Sequence, residues 1–389
     1  MWSGPVIYRK QGCLIERPVR MPSFAQLSKP LAPWLKVAAI VICLYLFIAG
    51  VSGMGEAFNL FGKGFANRVL AATCNPFAAL MMGLLATSLV QSSSTTTSII
   101  VGMVAGGALS IEAAIPMVMG ANIGTTITAT MVSFGSMRHP AEFERAFGTA
   151  LLHLFFNVAA VSIIFPLEIS TGILTEIAHE GQLLFSNVGG MWLCNPMKAA
   201  TGPFISLLKI LCFGNPVLLL FATLGITYVM LVWMVKLLRS LVLSKVEVFF
   251  DKVLFRSWPR AMLFGFLLTV AMQTSSVPTS LAVPLAGAGV LKLMQVYPFT
   301  LGSNVGTTIT AFLAALATGM ELPVIVAFSH ISFNVIGILI IWTFPAVRKL
   351  PLLAAQYVAK HSMKARYIPV TILVSVYFII PFTLVLIFA

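Results

Sequence analysis

The sequence predicts an all-α polytopic membrane protein made of two inverted repeats, each with a re-entrant helical hairpin and a broken transmembrane helix. Three observations lead to this fold class. The 389 residues are 59% hydrophobic and 9% charged, with a mean hydropathy of +0.99, whereas soluble domains carry about 25% charged residues. A polar run inside an apolar stretch occurs twice, and the basic residues fall between apolar segments.

The repeat is visible as matching motifs at a fixed spacing. The run QSSSTTTS begins at Gln91 and returns as QTSSVPTS at Gln273. At the same spacing ANIGTTITA, which begins with Ala121, returns as SNVGTTITA, which begins with Ser303. HLFFN and HISFN, with His153 and His330, follow at a slightly shorter spacing. We therefore place repeat one at about 75–167 and repeat two at about 258–345.

Residues 1–33 are predicted to be a cytoplasmic tail, because they hold five basic residues against one acid. Residues 34–389 form the predicted transmembrane domain. A first span is expected over 34–52, followed by a glycine-rich loop that ends at Asn75 and Pro76. Because further spans follow, we do not interpret the first apolar run as a cleavable signal peptide.

Residues 77–104 are predicted to form the first re-entrant hairpin, and residues 261–291 the second. Each arm has about 14 residues, too few to cross a bilayer, which takes about 20. The alternative is one long helix with a hydroxyl-rich stripe. The hairpin is favoured because eight consecutive polar residues cannot all lie on one helical face.

Five further spans are expected over 112–134, 146–167, 216–238, 293–318 and 322–344, and a last one ends at Ala389. The glycines and asparagines inside 112–134 and 293–318 predict unwound backbone there. Residues 168–215 are interpreted as a polar connection, and the basic stretches near 236–260 and 348–366 as cytoplasmic loops. The prediction is thus seven crossings and two hairpins.

Crossing counts give the relative orientation of the repeats. Three crossings separate the hairpins, and an odd number inverts the second copy. With the N-terminus inside, every strongly basic loop falls on the cytoplasmic side. Inverted repeats of this kind are typical of secondary transporters. The basic cytoplasmic loops account for the net charge of +13, so the charge does not indicate nucleic-acid binding.

The predicted site contains hydroxyls, amides and backbone groups but no charged side chain. No Asp, Glu, Lys or Arg occurs in 69–111 or 261–291. Such groups suit a small cation bound by oxygen atoms or an anion held at helix N-termini. An anion without a fixed positive partner is poorly compensated at low dielectric. Coupled binding of sodium and an oxyanion would balance the charge. His153 and His330 are predicted to be packing histidines.

These motifs resemble the type II sodium-dependent phosphate cotransporters in a bacterial form. The resemblance implies uptake of inorganic phosphate with co-transported sodium, no organic cofactor, no enzymatic activity, and a place in the lipid bilayer of the bacterial inner membrane. It implies that phosphate is bound by Gln91, Ser92, Ser93, Ser94, Gln273, Thr274 and Ser275. It also implies sodium ligands at Gln273, Ser303, Thr307 and Thr310, to which the internal repeat adds Asn122 and Thr125.

The sequence departs from the family pattern in three respects. The second motif begins Gln-Thr-Ser, so that Thr274 keeps a hydroxyl in place of serine. Leu154 stands where electrogenic members are expected to have Asp, which favours an electroneutral cycle. The chain has one span after repeat two, which would place its C-terminus outside. By the resemblance, Cys194 and Cys212 are the candidate pair for a disulfide in the large outer loop.

Two other functions are compatible with parts of the sequence. A sodium-coupled carrier of another anion, sulfate or a dicarboxylate, would share the hairpin architecture. An intramembrane serine hydrolase would pair one of the serines with His153 or His330. No nucleophile elbow is present in the sequence, and a duplicated serine cluster better suits two halves of one site. The oligomeric state is not determined by the sequence.

Overall fold

The computed structural model describes residues 33–246, 257–365 and 367–388, and gives backbone alone for 33, 193–198 and 239–246. The N-terminal tail and most of the basic stretch before repeat two therefore lie outside the described residues. Within them the protein is helical and contains no strand. Among the described residues, seven helical segments are long and apolar enough to cross a membrane, at 34–73, 111–136, 140–171, 216–238, 293–318, 321–343 and 367–388. This confirms the predicted number of crossings.

Repeat one contains five helices. The hairpin is α2 (Pro76–Val90) followed by α3 (Ser93–Ala105), and the next span is α4 (Ile111–Gly124) with α5 (Thr126–Ser133). The repeat closes with α6 (Pro140–Thr171). Before it runs α1 (Pro33–Thr73), which bends at Gly62 where φ is 76°. The segment predicted as a glycine-rich loop after residue 52 is therefore helical on both sides of a kink at Gly62.

Two helices occupy the connection between the repeats. They are α7 (Ile173–Asn187) and α8 (Cys194–Leu211), and α9 (Pro216–Val246) follows as the predicted span. The prediction of a polar connection over 168–215 is thus corrected. On α7 the buried side chains are Leu174, Ala178 and Gln182, which recur every four residues and so share one face. A helix that buries one face is compatible with many polar residues on the other.

Repeat two has the same order of elements. Its hairpin is α10 (Trp258–Met272) and α11 (Ser276–Gly287), followed by α12 (Leu293–Thr318) and α13 (Glu321–Thr343). Then comes α14 (Pro345–Ser362), which corrects the prediction of a basic loop there. The chain ends with α15 (Tyr367–Val374), one π-helical turn, and α16 (Ile380–Phe388). Few side chains of this last span are buried, as expected of a lipid-facing helix.

The two repeats pack their helices by the same close contacts. A Cβ on Gly120 would overlap the carbonyl oxygen of Leu80, and a Cβ on Gly302 would overlap that of Met262. Gly302 and Met262 are the counterparts of Gly120 and Leu80 at the spacing of the QSSS-like motifs. The hairpin helices α2 and α10 thus approach α4 and α12 backbone to backbone. The repetition seen in the sequence is therefore also a repetition of contacts.

The prediction of a broken helix is wrong for the second copy, and the first copy has a one-residue interruption between α4 and α5. The segment α12 runs unbroken through Gly302 and Gly306, and the only interruption in the first copy is at Thr125, whose φ and ψ remain helical at −53° and −31°. The glycines do not unwind the backbone. They remove side chains where two helices touch, and a helix can accept glycine for this purpose at about 1 kcal/mol relative to alanine.

Candidate functional site

The two hairpins turn at glutamines with left-handed backbone. Gln91 has a φ of 57° and Gln273 a φ of 54°, and each caps the C-terminus of the first hairpin helix. Positive φ is uncommon for residues other than glycine. The same unusual conformation at the first residue of both motifs shows that both predicted turns exist. The hairpin prediction is therefore confirmed over the single-helix alternative.

The polar run after Gln91 becomes the first turns of α3. Ser92 is the N-cap, and its Oγ accepts a hydrogen bond of 3.3 Å from the backbone N–H of Thr95. Hydroxyls further along donate to carbonyls one turn back, Thr97 Oγ1 to Ser93 O at 2.8 Å and Ser98 Oγ to Ser94 O at 2.7 Å. Side chains from Ser93 to Ser98 are buried. The helix N-terminus, with its partial positive charge, is thus directed at the turn.

The two tips meet each other. Ser94 Oγ on α3 donates 3.1 Å to the backbone carbonyl of Gln273, which the sequence places 179 residues away. The amide of Gln273 is held on both sides, since its Nε2 donates to Val270 O at 2.7 Å and its Oε1 accepts from Thr310 Oγ1 at 3.0 Å. The structure therefore brings together predicted phosphate ligands from both motifs.

Gln91 differs from its counterpart. Its side chain is exposed, whereas that of Gln273 is half-buried. Among the hydrogen bonds of the described residues, Gln91 takes part through its backbone N–H, bonded to Thr87 O at 2.7 Å. Its amide is thus free to bind a ligand without first breaking a bond within the protein. Ser92 and Thr274 are half-buried beside the turns, and Ser275 is buried.

The predicted sodium ligands of repeat two lie along one face of α12. Ser303, Thr307 and Thr310 are buried and spaced by four and three residues, which places them on one side of a helix. Thr310 reaches Gln273, and Ser303 Oγ lies 3.1 Å from Phe299 O and 3.4 Å from Gly265 O. Hydroxyl and amide oxygens of this kind are suitable sodium ligands. Among the described residues no group of His, Cys, Asp or Glu could hold a metal ion.

The two ligands added through the repeat, Asn122 and Thr125, lie at the C-terminal end of α4, in the other repeat. Thr125 Oγ1 donates to Ala121 O at 2.9 Å. Asn122 Oδ1 lies 3.4 Å from His330 Nε2 and 3.4 Å from Asn334 Nδ2, both in repeat two. Its counterpart Asn304 is bonded to His153 and Asn157. Asn304 was not among the predicted site residues, although the internal repeat that selects Asn122 also selects it.

Tyr377 is a second buried residue that the sequence does not predict. Its hydroxyl lies 2.6 Å from Thr126 Oγ1 and 3.2 Å from Thr130 Oγ1. It comes from the π-helical turn of the last span, so this span is joined to α5 by a polar contact. A tyrosine within an apolar span is a weak signal, because such residues are common near membrane interfaces.

Only one of the two predicted disulfide partners has a described side chain. Cys212 is a free cysteine, buried against Ala57 and Leu219. The side chain of Cys194 lies outside the described residues. The disulfide bond between Cys194 and Cys212 therefore remains a prediction, which the described side chain of Cys212 does not support.

A known protein family matches this chain in two segments, one for each repeat. The family model described as Na+/Pi-cotransporter matches residues 46–185 and 227–346, which together are more than half of the chain. The chain belongs to this family. All the predicted phosphate and sodium ligands of this Na+/Pi-cotransporter family member lie inside the two matched segments. Cys194 and Cys212 lie between the segments.

Curated relatives agree with the family. Sodium-dependent phosphate transport protein 2A of Ovis aries is 33% identical, over 89% of this chain and 67% of the relative. Sodium-dependent phosphate transport protein 2B of Homo sapiens is 31% identical, over 87% of this chain and 63% of the relative. The chain thus spans about two thirds of the length of these Na+/Pi-cotransporter relatives. No solved structure matches it significantly.

Proposed function

We propose that this chain is a sodium-coupled symporter of inorganic phosphate. The observation that carries the proposal is the meeting of the two hairpin tips, where Ser94 of one motif bonds the Gln273 carbonyl of the other. Membership of the Na+/Pi-cotransporter family and the names of the relatives support the same substrate and the same coupling ion. Those names describe transport and not catalysis, so a serine hydrolase has no support.

Phosphate is bound in this proposal by the two tips. The N-terminus of α3 and the amide of Gln91 supply donors for phosphate oxygens. Sodium is bound by oxygens of Gln273, Ser303, Thr307 and Thr310 on the α12 side. Because neither site has a charged side chain, each bound ion lowers the cost of burying the other. This mutual compensation is the physical basis of the coupling.

We propose further that the repeats are inverted and that the site opens alternately to either side. The protein would lie in a bacterial inner membrane with its N-terminus in the cytoplasm. Leu154 is buried at 3% exposed, and by the family resemblance it stands where electrogenic members are expected to carry the negative charge of an Asp. A cycle without that charge is expected to be electroneutral and insensitive to membrane potential.

Phosphate uptake into proteoliposomes tests the function. With an inward sodium gradient we expect radiolabelled phosphate to accumulate, and with an equal potassium gradient we expect only the rate of empty vesicles, because potassium is too large for the sodium ligands. Unlabelled sulfate and succinate in large excess should leave the rate unchanged. Uptake that is independent of sodium would overturn symport, and uptake that sulfate or succinate suppresses would reassign the substrate to that anion.

A further inference from the structure

Six buried amide and imidazole side chains form a polar cluster at the contact between the repeats. None is more than 5% exposed. Each repeat provides one His and two Asn, and the positions correspond through the internal repeat. The six residues are Asn122, His153, Asn157, Asn304, His330 and Asn334.

One half of the cluster is tightly bonded. His153 Nε2 lies 2.7 Å from Asn304 Oδ1, and Asn304 Nδ2 donates to Asn157 Oδ1 at 2.8 Å. Because the amide nitrogen of Asn304 is used as a donor, its oxygen is the acceptor, and the imidazole must carry its proton on Nε2. Two residues of repeat one thus enclose one residue of repeat two. This group of three is named the tight triad.

The other half contains the equivalent residues in a looser arrangement. His330 Nε2 and Asn334 Nδ2 each lie 3.4 Å from Asn122 Oδ1. Asn122 Nδ2 donates instead to Val118 O of its own helix at 2.9 Å. Asn334 Oδ1 is buried without a hydrogen-bond partner, whereas the equivalent oxygen of Asn157 is bonded. This group of three is named the loose triad.

Equivalent residues therefore occur in two arrangements within one structure. An unpaired buried carbonyl costs free energy, so the loose triad would gain by closing as the tight triad does. In transporters with inverted repeats, one repeat rocks against the other around the site when the site changes sides, so that equivalent contacts of the two repeats can be exchanged. The difference between the triads is what such an exchange would produce.

We propose that the two triads form a reciprocal latch between the repeats. The tight triad holds the conformation described here, and the loose triad closes, with Asn122 turning its amide to Asn334, in the conformation that faces the other side. The histidines act as positioning residues for α4 and α12, the latter carrying Ser303 and Thr307 beside Asn304. This inference rests on the proposed alternating access.

Thiol labelling from the two membrane faces tests the latch. The thiol introduced by Gln91→Cys is placed in a full-length chain whose five native cysteines are replaced by serine, and an impermeant maleimide is applied from either face. The ratio of the two labelling rates reports which conformation is populated. His153→Ala should shift this ratio away from the conformation described here by about threefold to about fifteenfold, the range that one interhelical hydrogen bond supports.

His330→Ala should shift the ratio in the opposite direction, because it weakens the conformation that the loose triad would hold. A merely structural histidine would not give effects of opposite sign. His153→Gln, which keeps an N–H donor, should restore much of the ratio, and adding His153→Ala to Asn304→Ala should change nothing further, because Asn304→Ala already removes the bond to His153. The matched control is His179→Ala, an exposed histidine on α7, which should leave the ratio unchanged.

Two histidine variants that shift the ratio in the same direction, or not at all, would overturn the latch. Should the alanine variants at His153 and His330 fail to fold, Asn157→Ala and Asn334→Ala make the same test with the same expected signs. Sodium-driven phosphate uptake by the Cys-free parent is measured in parallel. If uptake is intact and neither histidine variant changes the labelling ratio, the latch alone is rejected. If the two variants shift the ratio in opposite directions but uptake does not depend on sodium, the proposed function is rejected and the latch is kept.

Discussion

Gln91→Ala is expected to reduce sodium-driven phosphate uptake by at least about tenfold, since a hydrogen bond to a charged group contributes about 1.5–3 kcal/mol. The exposed amide of Gln91 forms no side-chain hydrogen bond among the described residues, so its removal costs the fold little. The loss should therefore appear in transport and not in stability. The measurement is the initial rate of phosphate uptake, normalised to the reconstituted protein.

Matched variants separate this effect from unspecific damage. Gln356→Ala changes an exposed glutamine on α14 and should transport at the rate of the unchanged protein. Gln273→Ala should also lose uptake, but it removes the bonds to Val270 and Thr310 as well and should lower thermal stability too. Near-normal uptake by both Gln91→Ala and Gln273→Ala would show that the hairpin tips are not the phosphate site.

Gly302→Ala is expected to destabilise the protein by at least about 3 kcal/mol, the upper part of the range for overpacked cores. The added Cβ would overlap the Met262 carbonyl oxygen and lie 2.7 Å from its carbon. Backbone atoms of a packed helix cannot turn aside as a flexible side chain can, so α10 and α12 would have to separate. The measurement is the thermal unfolding temperature of the purified protein in detergent.

Gly225→Ala provides the control for this prediction. Gly225 also lies inside a helix, α9, but nothing is found within 4 Å of a Cβ built there. Alanine is favoured over glycine in a helix by about 1 kcal/mol, so this variant should be as stable as the unchanged protein or more so. Equal unfolding temperatures for the two variants would contradict the backbone contact between α10 and α12.

The features that could be predicted from sequence are those that depend on length and on internal similarity. The motifs that begin at Gln91 and Gln273 located both hairpins, because a long polar run inside an apolar stretch allows few alternatives. The seven apolar spans were predictable because their length must match a bilayer. The ligand roles remain predictions, although the structure does bring Ser94, Gln273 and Thr310 together.

Features that depend on tertiary contacts could not be predicted. Gly302 and Gly306 suggested unwinding, since the sequence does not show that another helix approaches there. The segment 345–362 has many basic residues and was interpreted as a loop, yet Pro351, Ala355 and Ala359 lie on one buried face of a helix. The internal repeat singles out Asn304, but its contacts with His153 and Asn157 could not be predicted, because these partners are far away in the chain.

The flux of sodium driven by phosphate tests the central claim most directly. Proteoliposomes without a sodium gradient receive an inward phosphate gradient, and the entry of labelled sodium is followed at zero potential and at an inside-negative potential. Coupled symport predicts sodium entry above its equilibrium level only when phosphate is present, at the same rate for both potentials if the cycle is electroneutral. Sodium entry that is identical with and without phosphate would contradict the account.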